Sequence, residues 1–455
     1  MSNSEKIFES LDKNNFTIDC KEMRLSPISA ISENDQHVGP GSITQTSDGH
    51  FWVKMYCRGN ITPARVFKSY QNAELGKLLE DEHYYGLEAD DLDGNQWTTD
   101  PVLPQFLPSM DFNGYVVEAH CRRLSTQNAL SFEPAANSIV IVYRGDIPIP
   151  CNTPTRTETR VGERLYAKSI NLNVASFEAA GFEFEIFKEP YCLRLYVMAA
   201  SKPIHLGTVA RISEALQLIL GRTLSWSVVE ITQRKTQTTH VRAAKRNEKR
   251  SRVGPPIASG IVDGERNVWM LFTKYFQYVL EYEDVSWHPL FRLINSVFKS
   301  GEASIEAEGL TLSVSIEGLL KQFFLKKALP NEDFEQKRSE ALRIICNSAM
   351  DKDFKNRVNG FIGSMKAIQP KDRLYALRAS GVIENKLVNS WSELRNPSAH
   401  GELVEEKDLQ MYLDRCASAL VLFYHLIFLT IGYTGNYTDY SSHGYPMKTF
   451  NKGIS

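Results

Sequence analysis

The sequence predicts an α+β protein in which a β-rich N-terminal domain precedes an all-α helical bundle. Three observations predict it. Asp-Gly and Asn-Gly pairs punctuate apolar runs in the first half, composition shifts abruptly between Arg234 and Arg252, and apolar residues recur at helical spacing beyond it. The resulting division is a β-rich domain over 1–233, a basic linker over 234–264 and a helical domain over 265–455.

In the first domain, Asp48-Gly49 lies between Gly41–Ser47 and His50–Cys57, and Asp93-Gly94 and Asn113-Gly114 are similarly placed. Each pair reads as a two-residue hairpin turn, because both central residues of such a turn need positive φ. Phe182–Phe187 alternates apolar with charged residues, as a half-buried strand does, while Ser138–Tyr143, Tyr191–Met198 and Thr223–Ile231 are further strand candidates. A single helix is expected in this half. It runs from His205 to Leu220, with Val209, Ile212, Leu216, Ile219 and Leu220 on one face and Gly221 as its stop.

In the second domain, Trp269, Phe272, Phe276, Val279 and Leu280 form one helical stripe, and Leu312, Ile316, Leu319, Leu320, Phe323 and Phe324 form another. A third helix carries Ile383, Leu387, Trp391 and Leu394. The last carries Leu409, Tyr412, Leu413, Cys416, Leu420, Phe423 and Ile427. Amphipathic helices joined by short loops argue for a bundle.

With 455 residues, a formal charge of −2 and 42% hydrophobic content, the chain reads as globular, and overall charge implies no partner. Seven widely spaced cysteines with no C-x2-C pair read as reduced thiols in a cytoplasm, neither a disulfide framework nor a zinc site. The N-terminal residues show no basic flank before an apolar core, as a secretory signal would. Ala417–Ile431 is apolar but shorter than the roughly 20 residues a bilayer needs, and it carries His425, so it reads as a buried helix. No P-loop, dinucleotide fingerprint, G-x-S-x-G elbow or H-E-x-x-H string is present, and no metal or cofactor is expected.

The segment with the residue types for chemistry is Arg395-Asn396-Pro397-Ser398-Ala399-His400-Gly401. On an unbroken helix, residues five apart point to different faces, since each turns the chain by about 100°. Pro397 is expected to break the helix at Asn396, so that one helix ends with Arg395 and a second opens with free N–H groups suited to a phosphate and with His400 in its first turn. The plainer reading of Arg395 is a helix-ending arginine bound to the last carbonyls or to a carboxylate such as Glu393 or Glu402.

Leu394–Glu402 resembles the R-N-x3-H form of the R-x4-6-H motif of HEPN domains, helical bundles that include ribonucleases and nucleotide-binding proteins. Leu312–Leu320, with Glu317 inside an apolar run, resembles the earlier HEPN helix that carries an acidic residue. A β-rich half before such a bundle is similar to the ApeA group of bacterial anti-phage HEPN proteins. The resemblance implies metal-independent endoribonuclease activity, abortive infection and a homodimer that brings two motifs to one cleft. On the residue types, His400 suits proton transfer at a ribose 2′-OH or a leaving 5′ oxygen, and Arg395 suits a scissile phosphate. Asn396 either orients the histidine or donates to phosphate, or is only a helix cap. Glu317 supports the site or partners a buried cation. RNA is the expected substrate, with a phage-derived trigger or inhibitor protein as a further partner. A non-catalytic binding module and a toxin of a toxin–antitoxin pair are the rival expectations.

A second basic concentration holds Arg242, Lys245, Arg246, Lys249 and Arg250. It reads either as a phosphate-attracting surface or as a solvated linker, and it lacks the aromatic residues that stack bases. Three weaker motifs have bland readings. Asp91-x-Asp93-Gly94 is a polar turn rather than a calcium loop, Glu183 and Glu185 form a solvated strand face, and His425 is a core histidine with a hydrogen-bonded partner.

Overall fold

The computed structural model describes residues 3–29, 36–71, 79–108, 113–161, 164–199, 202–247, 253–258, 264–325, 332–365, 369–400 and 405–451. The chain divides into two units. One is made of Met1–Ser213, Leu224–Lys249 and Tyr282–Val285, the other of Glu214–Thr223, Arg250–Glu281 and Ser286–Ser455.

The first unit is built on strands β1 (Thr17–Pro27), β2 (His37–Gln45), β3 (Phe51–Arg58), β4 (Tyr85–Asp91), β5 (Gln96–Thr99), β6 (Gln105–Pro108), β7 (Gly114–Cys121) and β8 (Arg123–Ala129). It continues with β9 (Asn137–Arg144), β10 (Thr153–Val161), β11 (Arg164–Ala179), β12 (Phe182–Lys188), β13 (Cys192–Ala199), β14 (Trp226–Gln233) and β15 (Thr236–Arg242). All join one sheet in the order β10-β11-β12-β13-β9-β14-β15-β8-β5-β4-β1-β2-β3-β7-β6. Asp48-Gly49 and Asp93-Gly94 turn β2 into β3 and β4 into β5, but in connections (46–50 and 92–95) longer than the expected two residues and with positive φ only at the glycines, 93° and 88°. Asn113-Gly114 does not make a two-residue turn: β6 and β7 pair, but residues 109–113 join them. Alternation holds where it was read. Phe182, Phe184 and Ile186 face the core, and Glu183 and Glu185 face water. The Asp91 carboxylate closes its turn by accepting from the Asn95 N–H at 2.7 Å and from Trp97 Nε1 at 2.9 Å.

The basic linker is a correction. Thr236–Arg242 is a central strand, paired with β14 on one side and β8 on the other. Arg234-Lys235 form a two-residue turn with Arg234 at φ 53°, so these two charges mark a hairpin corner rather than a solvated connection. Thr239, His240 and Val241 between them are buried. Helices α1 (Asn3–Asp12) and α2 (Pro63–Gln71) join the expected α3 (Leu206–Leu220), and both are too short for periodicity to separate them from strands. In α3 the polar face is buried too: Arg211 and Glu214 are fully covered. Arg211 donates to the Tyr282 carbonyl at 3.1 Å, and Glu214 accepts from the His288 N–H at 2.8 Å, which satisfies groups that would be costly to bury alone.

The second unit holds α4 (Gly264–Val279), α5 (Pro289–Ser300), α6 (Ile305–Leu319), α7 (Glu332–Asn347), α8 (Lys352–Ser364), α9 (Pro370–Ala379), α10 (Asn385–His400) and α11 (Leu409–Ile431). A short hairpin of Gly435–Thr438 with Met447–Phe450 follows. A π-helical turn over Leu320–Phe324 ends α6. Helix α11 packs against α6 and α10. Glu406–Ile431 is, among the described residues, the one helical stretch long and apolar enough to cross a membrane, yet most of its apolar part is buried inside the protein. Gly309 of α6 permits the approach to α11, since a Cβ there would run into the Tyr412 hydroxyl.

His425 is buried in α11 against Tyr437 and Phe450, with ring centroids 4.6 and 4.7 Å away. Its expected hydrogen-bonded partner is another correction. Neither ring nitrogen has a partner among the described residues, because the neighbours are aromatic carbon. Burial holds the ring neutral and pushes its pKa down to about 4.

Candidate functional site

The apolar stripe of α10 sets the position of Arg395. Leu387, Val388, Trp391 and Leu394 are buried, and Trp391 Nε1 donates to the Ser313 carbonyl of α6 at 3.3 Å. Arg395 sits one turn beyond Trp391, with its guanidinium 6.0 Å from that ring. It therefore emerges at the boundary between packed helix face and water, with 48% of its side chain exposed.

Helix α10 does not break at Asn396. It runs without interruption through Pro397 to His400. Proline lacks an N–H and so forfeits the bond to the Glu393 carbonyl, but this loss falls in the last turn of a helix whose earlier turns are anchored by four buried side chains. Packing outweighs local propensity here. One consequence follows for the motif: on an unbroken helix, positions 395 and 400 project about 140° apart, so no bend brings them together within one chain. The side chains of Asn396 and His400, and Glu402 altogether, lie outside the described residues.

Among the described residues Glu317, not Glu393, is the partner of Arg395. Arg395 Nη2 lies 3.0 Å from Glu317 Oε2, and Lys321 Nζ lies 2.7 Å from Glu317 Oε1, so both carboxylate oxygens are used. Burial alone pushes the Glu317 carboxyl up, but the Lys321 hydrogen bond and the nearby Arg395 charge outweigh it and hold the group below its ordinary value. Glu393 instead pairs with Arg415 at 2.9 Å.

Arg395 and Glu317 open onto a cavity of about 300 Å³ that Gln369, Pro370, Lys371, Tyr375, Trp391 and Ser392 complete. Reasoning from sequence missed Lys371 and Tyr375. The available signal was Gln369-Pro370-Lys371-Asp372, a helix start with proline in its first turn, and the structure uses it so: the Asp372 carboxylate accepts the Gln369 N–H at 2.8 Å. The cavity thus gathers a guanidinium, an ammonium and the first turn of α9, whose dipole end favours an anion. One carboxylate opposes them, already paired twice.

Of the second basic cluster, the described members Arg242, Lys245 and Arg246 belong to the other unit, and two of them are engaged there. Arg242 stacks at 3.7 Å over Trp226, and burial with the Arg123 charge pushes its pKa down to about 10. Arg246 pairs with Asp12 at 2.9 Å. Lys245 is exposed, whereas Lys249 and Arg250 lie outside the described residues. No family model, curated protein or solved structure matches the chain.

Proposed function

We propose that the second unit is a HEPN-type endoribonuclease that cuts RNA without a metal ion in a bacterial cytoplasm, as an abortive-infection defence against phage. The observation that supports it best is the cavity in which Arg395, Lys371 and the opening turn of α9 converge, because a phosphodiester is the anion such a set suits. In the proposed reaction a ribose 2′ oxygen bonds to phosphorus, its proton passes to an imidazole, and the P–O5′ bond breaks as the leaving oxygen takes a proton. The products are a 2′,3′-cyclic phosphate and a 5′-hydroxyl. Arg395 binds the phosphate. His400 carries protons, and Asn396 orients it or caps the chain.

Cleavage of this kind uses one proton acceptor and one donor, whereas the motif has one histidine. A two-fold homodimer supplies the second and lets His400 of one copy serve with Arg395 of the other. The β-rich unit would then sense a phage-derived trigger or hold an inhibitor. The unbroken α10 favours one alternative, a module that binds RNA, a nucleotide or a protein at the Arg395 cavity and does not cut.

Incubating cellular RNA with the full chain and EDTA separates the two. Cleavage by the wild type that Arg395→Ala and His400→Ala each abolish is the expected result. Equal cleavage by all three places the activity elsewhere, and RNA retention without cleavage leaves only the binding module.

A further inference from the structure

A second cavity, of about 1180 Å³, lies within the second unit between α6, α11 and the turn 439–446 that joins the two closing strands. The nuclease reading uses none of it. Leu413, Ala417 and Leu420 stand at i, i+4 and i+7 on α11 and give the cavity an apolar floor. Glu308 of α6 and Asp414 of α11 bring one carboxylate from each helix. Tyr440 and Tyr445 complete the wall, with ring centroids 5.3 Å apart.

The wall is built in advance. The buried Asp439 carboxylate accepts the Ser441 N–H at 3.0 Å, the Ser441 hydroxyl, and the Ser442 hydroxyl at 2.6 Å, and Lys448 Nζ lies 2.7 Å from it. The Tyr440 hydroxyl donates to the Pro255 carbonyl at 2.7 Å, and its ring lies so close to Gly254 that a Cβ there would collide with it. Tyr445 is 57% exposed and held in left-handed backbone at φ 49°. Glycine adopts that conformation without strain, so the turn itself does not call for tyrosine. What calls for it is the ring, since a strained residue on a cavity wall is a sign of use.

Charge and hydrogen-bonding sense identify the ligand. Among the described residues no lysine or arginine lines the cavity, so a phosphate would find no cation there. Asp414 accepts from the neutral Gln410 amide at 2.9 Å. Burial, followed by the Glu308 and Glu306 charges, pushes the Cys416 thiol of the lining up to about 12, which marks the local field as negative. The Ser441 hydroxyl hydrogen goes to Asp439, so toward a ligand its oxygen can only accept. Such a wall asks for N–H donors on a positive centre, and the tyrosine faces favour the same charge. Among the described residues no group of three or more His, Cys, Asp or Glu is placed to hold a metal ion, so a divalent cation fits less well. An apolar floor between two carboxylates suits a cation with an aliphatic stem.

We propose that this cavity binds a linear aliphatic polyamine, with one ammonium group at Glu308, another at Asp414, and the methylene chain over Leu413, Ala417 and Leu420 beside Tyr445. The site is independent of the nuclease reading, because it shares no lining residue with the Arg395 cavity.

Titration calorimetry of the full chain with spermidine at physiological ionic strength tests it. One saturable site per chain is expected. Glu308→Gln with Asp414→Asn is expected to weaken binding about tenfold or more, since each ammonium loses its charged partner. Tyr445→Gly is expected to weaken it about two- to fivefold while leaving the melting temperature nearly unchanged, because glycine accepts the left-handed backbone. Tetramethylammonium, which carries charge but no N–H, and magnesium are expected not to displace spermidine at equal ionic strength. Binding that does not saturate, survives the double substitution, is unchanged by Tyr445→Gly, or is abolished by either competitor overturns the proposal. Should the double variant fail to fold, Tyr445→Gly and the two competitors decide it.

Discussion

Arg395 and Glu317 form an ion pair of 3.0 Å at the mouth of the cavity shared with Lys371. The pair is partly exposed and so contributes little to folding, on the order of 0–1 kcal/mol. Its proposed value is positional: Glu317 holds the guanidinium fork toward the cavity until a phosphate competes for it.

Replacing Arg395 by alanine is therefore expected to leave the melting temperature nearly unchanged while lowering the cleavage rate by about 10²–10³-fold, the usual cost of losing a charge-stabilising donor. Arg395→Lys should recover little, because an ammonium lacks the planar fork. Turnover assays beside thermal melts check both halves, and a large loss of stability would recast Arg395 as a structural residue.

The pH dependence of cleavage should not come from Glu317. Its carboxyl is held below the ordinary value, so the stability it contributes is complete above the unfolded carboxyl pKa of about 4.3 and disappears only as pH falls through the lower folded value. Near neutrality the pair is constant. Rate profiles of wild type and Glu317→Gln are expected to share the same inflection, set by the proton-carrying histidine. An inflection that moves with Glu317→Gln would contradict this.

His425 gives the second unit an acid-sensitive core. Its folded pKa lies at about 4, below the ordinary value of about 6.5, so the unfolded chain binds the proton first. The contribution of the neutral ring is complete above about pH 6.5 and is lost progressively as pH falls toward 4, by on the order of 3 kcal/mol. His425→Phe should flatten this slope, and because it removes two buried polar atoms without partners it should be neutral or stabilising at pH 7. His240 is likewise held down to about 4 and titrates in the same window, so the difference between the two melts carries the result.

Arg242 and Lys245 should separate cleanly. Arg242 spends its guanidinium on Trp226, so Arg242→Ala is expected to cost about 1–2 kcal/mol of stability and leave RNA affinity unchanged. Lys245 is exposed, so Lys245→Ala is expected to leave stability unchanged and to reduce the salt dependence of RNA binding by about one charge if that face meets RNA. Denaturant melts and salt titrations of binding read the two effects.

These contrasts show what local sequence encodes. Alternation from Phe182 to Phe187 and the glycines at 49 and 94 report their own backbone states, so strands and turns there were readable. Two readings failed, and two cavity residues were missed, because distant packing decided them. Pro397 signals a break, but the buried face from Leu387 to Leu394 carries the helix past it. Arg234-Lys235 looks like linker charge, but the flanking strand fills the centre of a sheet whose partners are remote in sequence. Glu317 and Arg395 could be named as site candidates from motif resemblance, whereas Lys371 and Tyr375 reach the cavity only through the packing of α9, which no spacing rule reports.

The most direct test is a single synthetic RNA compared with the same strand carrying one 2′-deoxyribose at the cut position, both incubated with the full chain in EDTA. Attack by a 2′ oxygen predicts cleavage of the first to a 2′,3′-cyclic phosphate and a 5′-hydroxyl, no cleavage of the second at that position, and neither product with His400→Ala. Cleavage of the deoxy-substituted strand, or activity that appears only when a divalent metal is restored, would contradict the account.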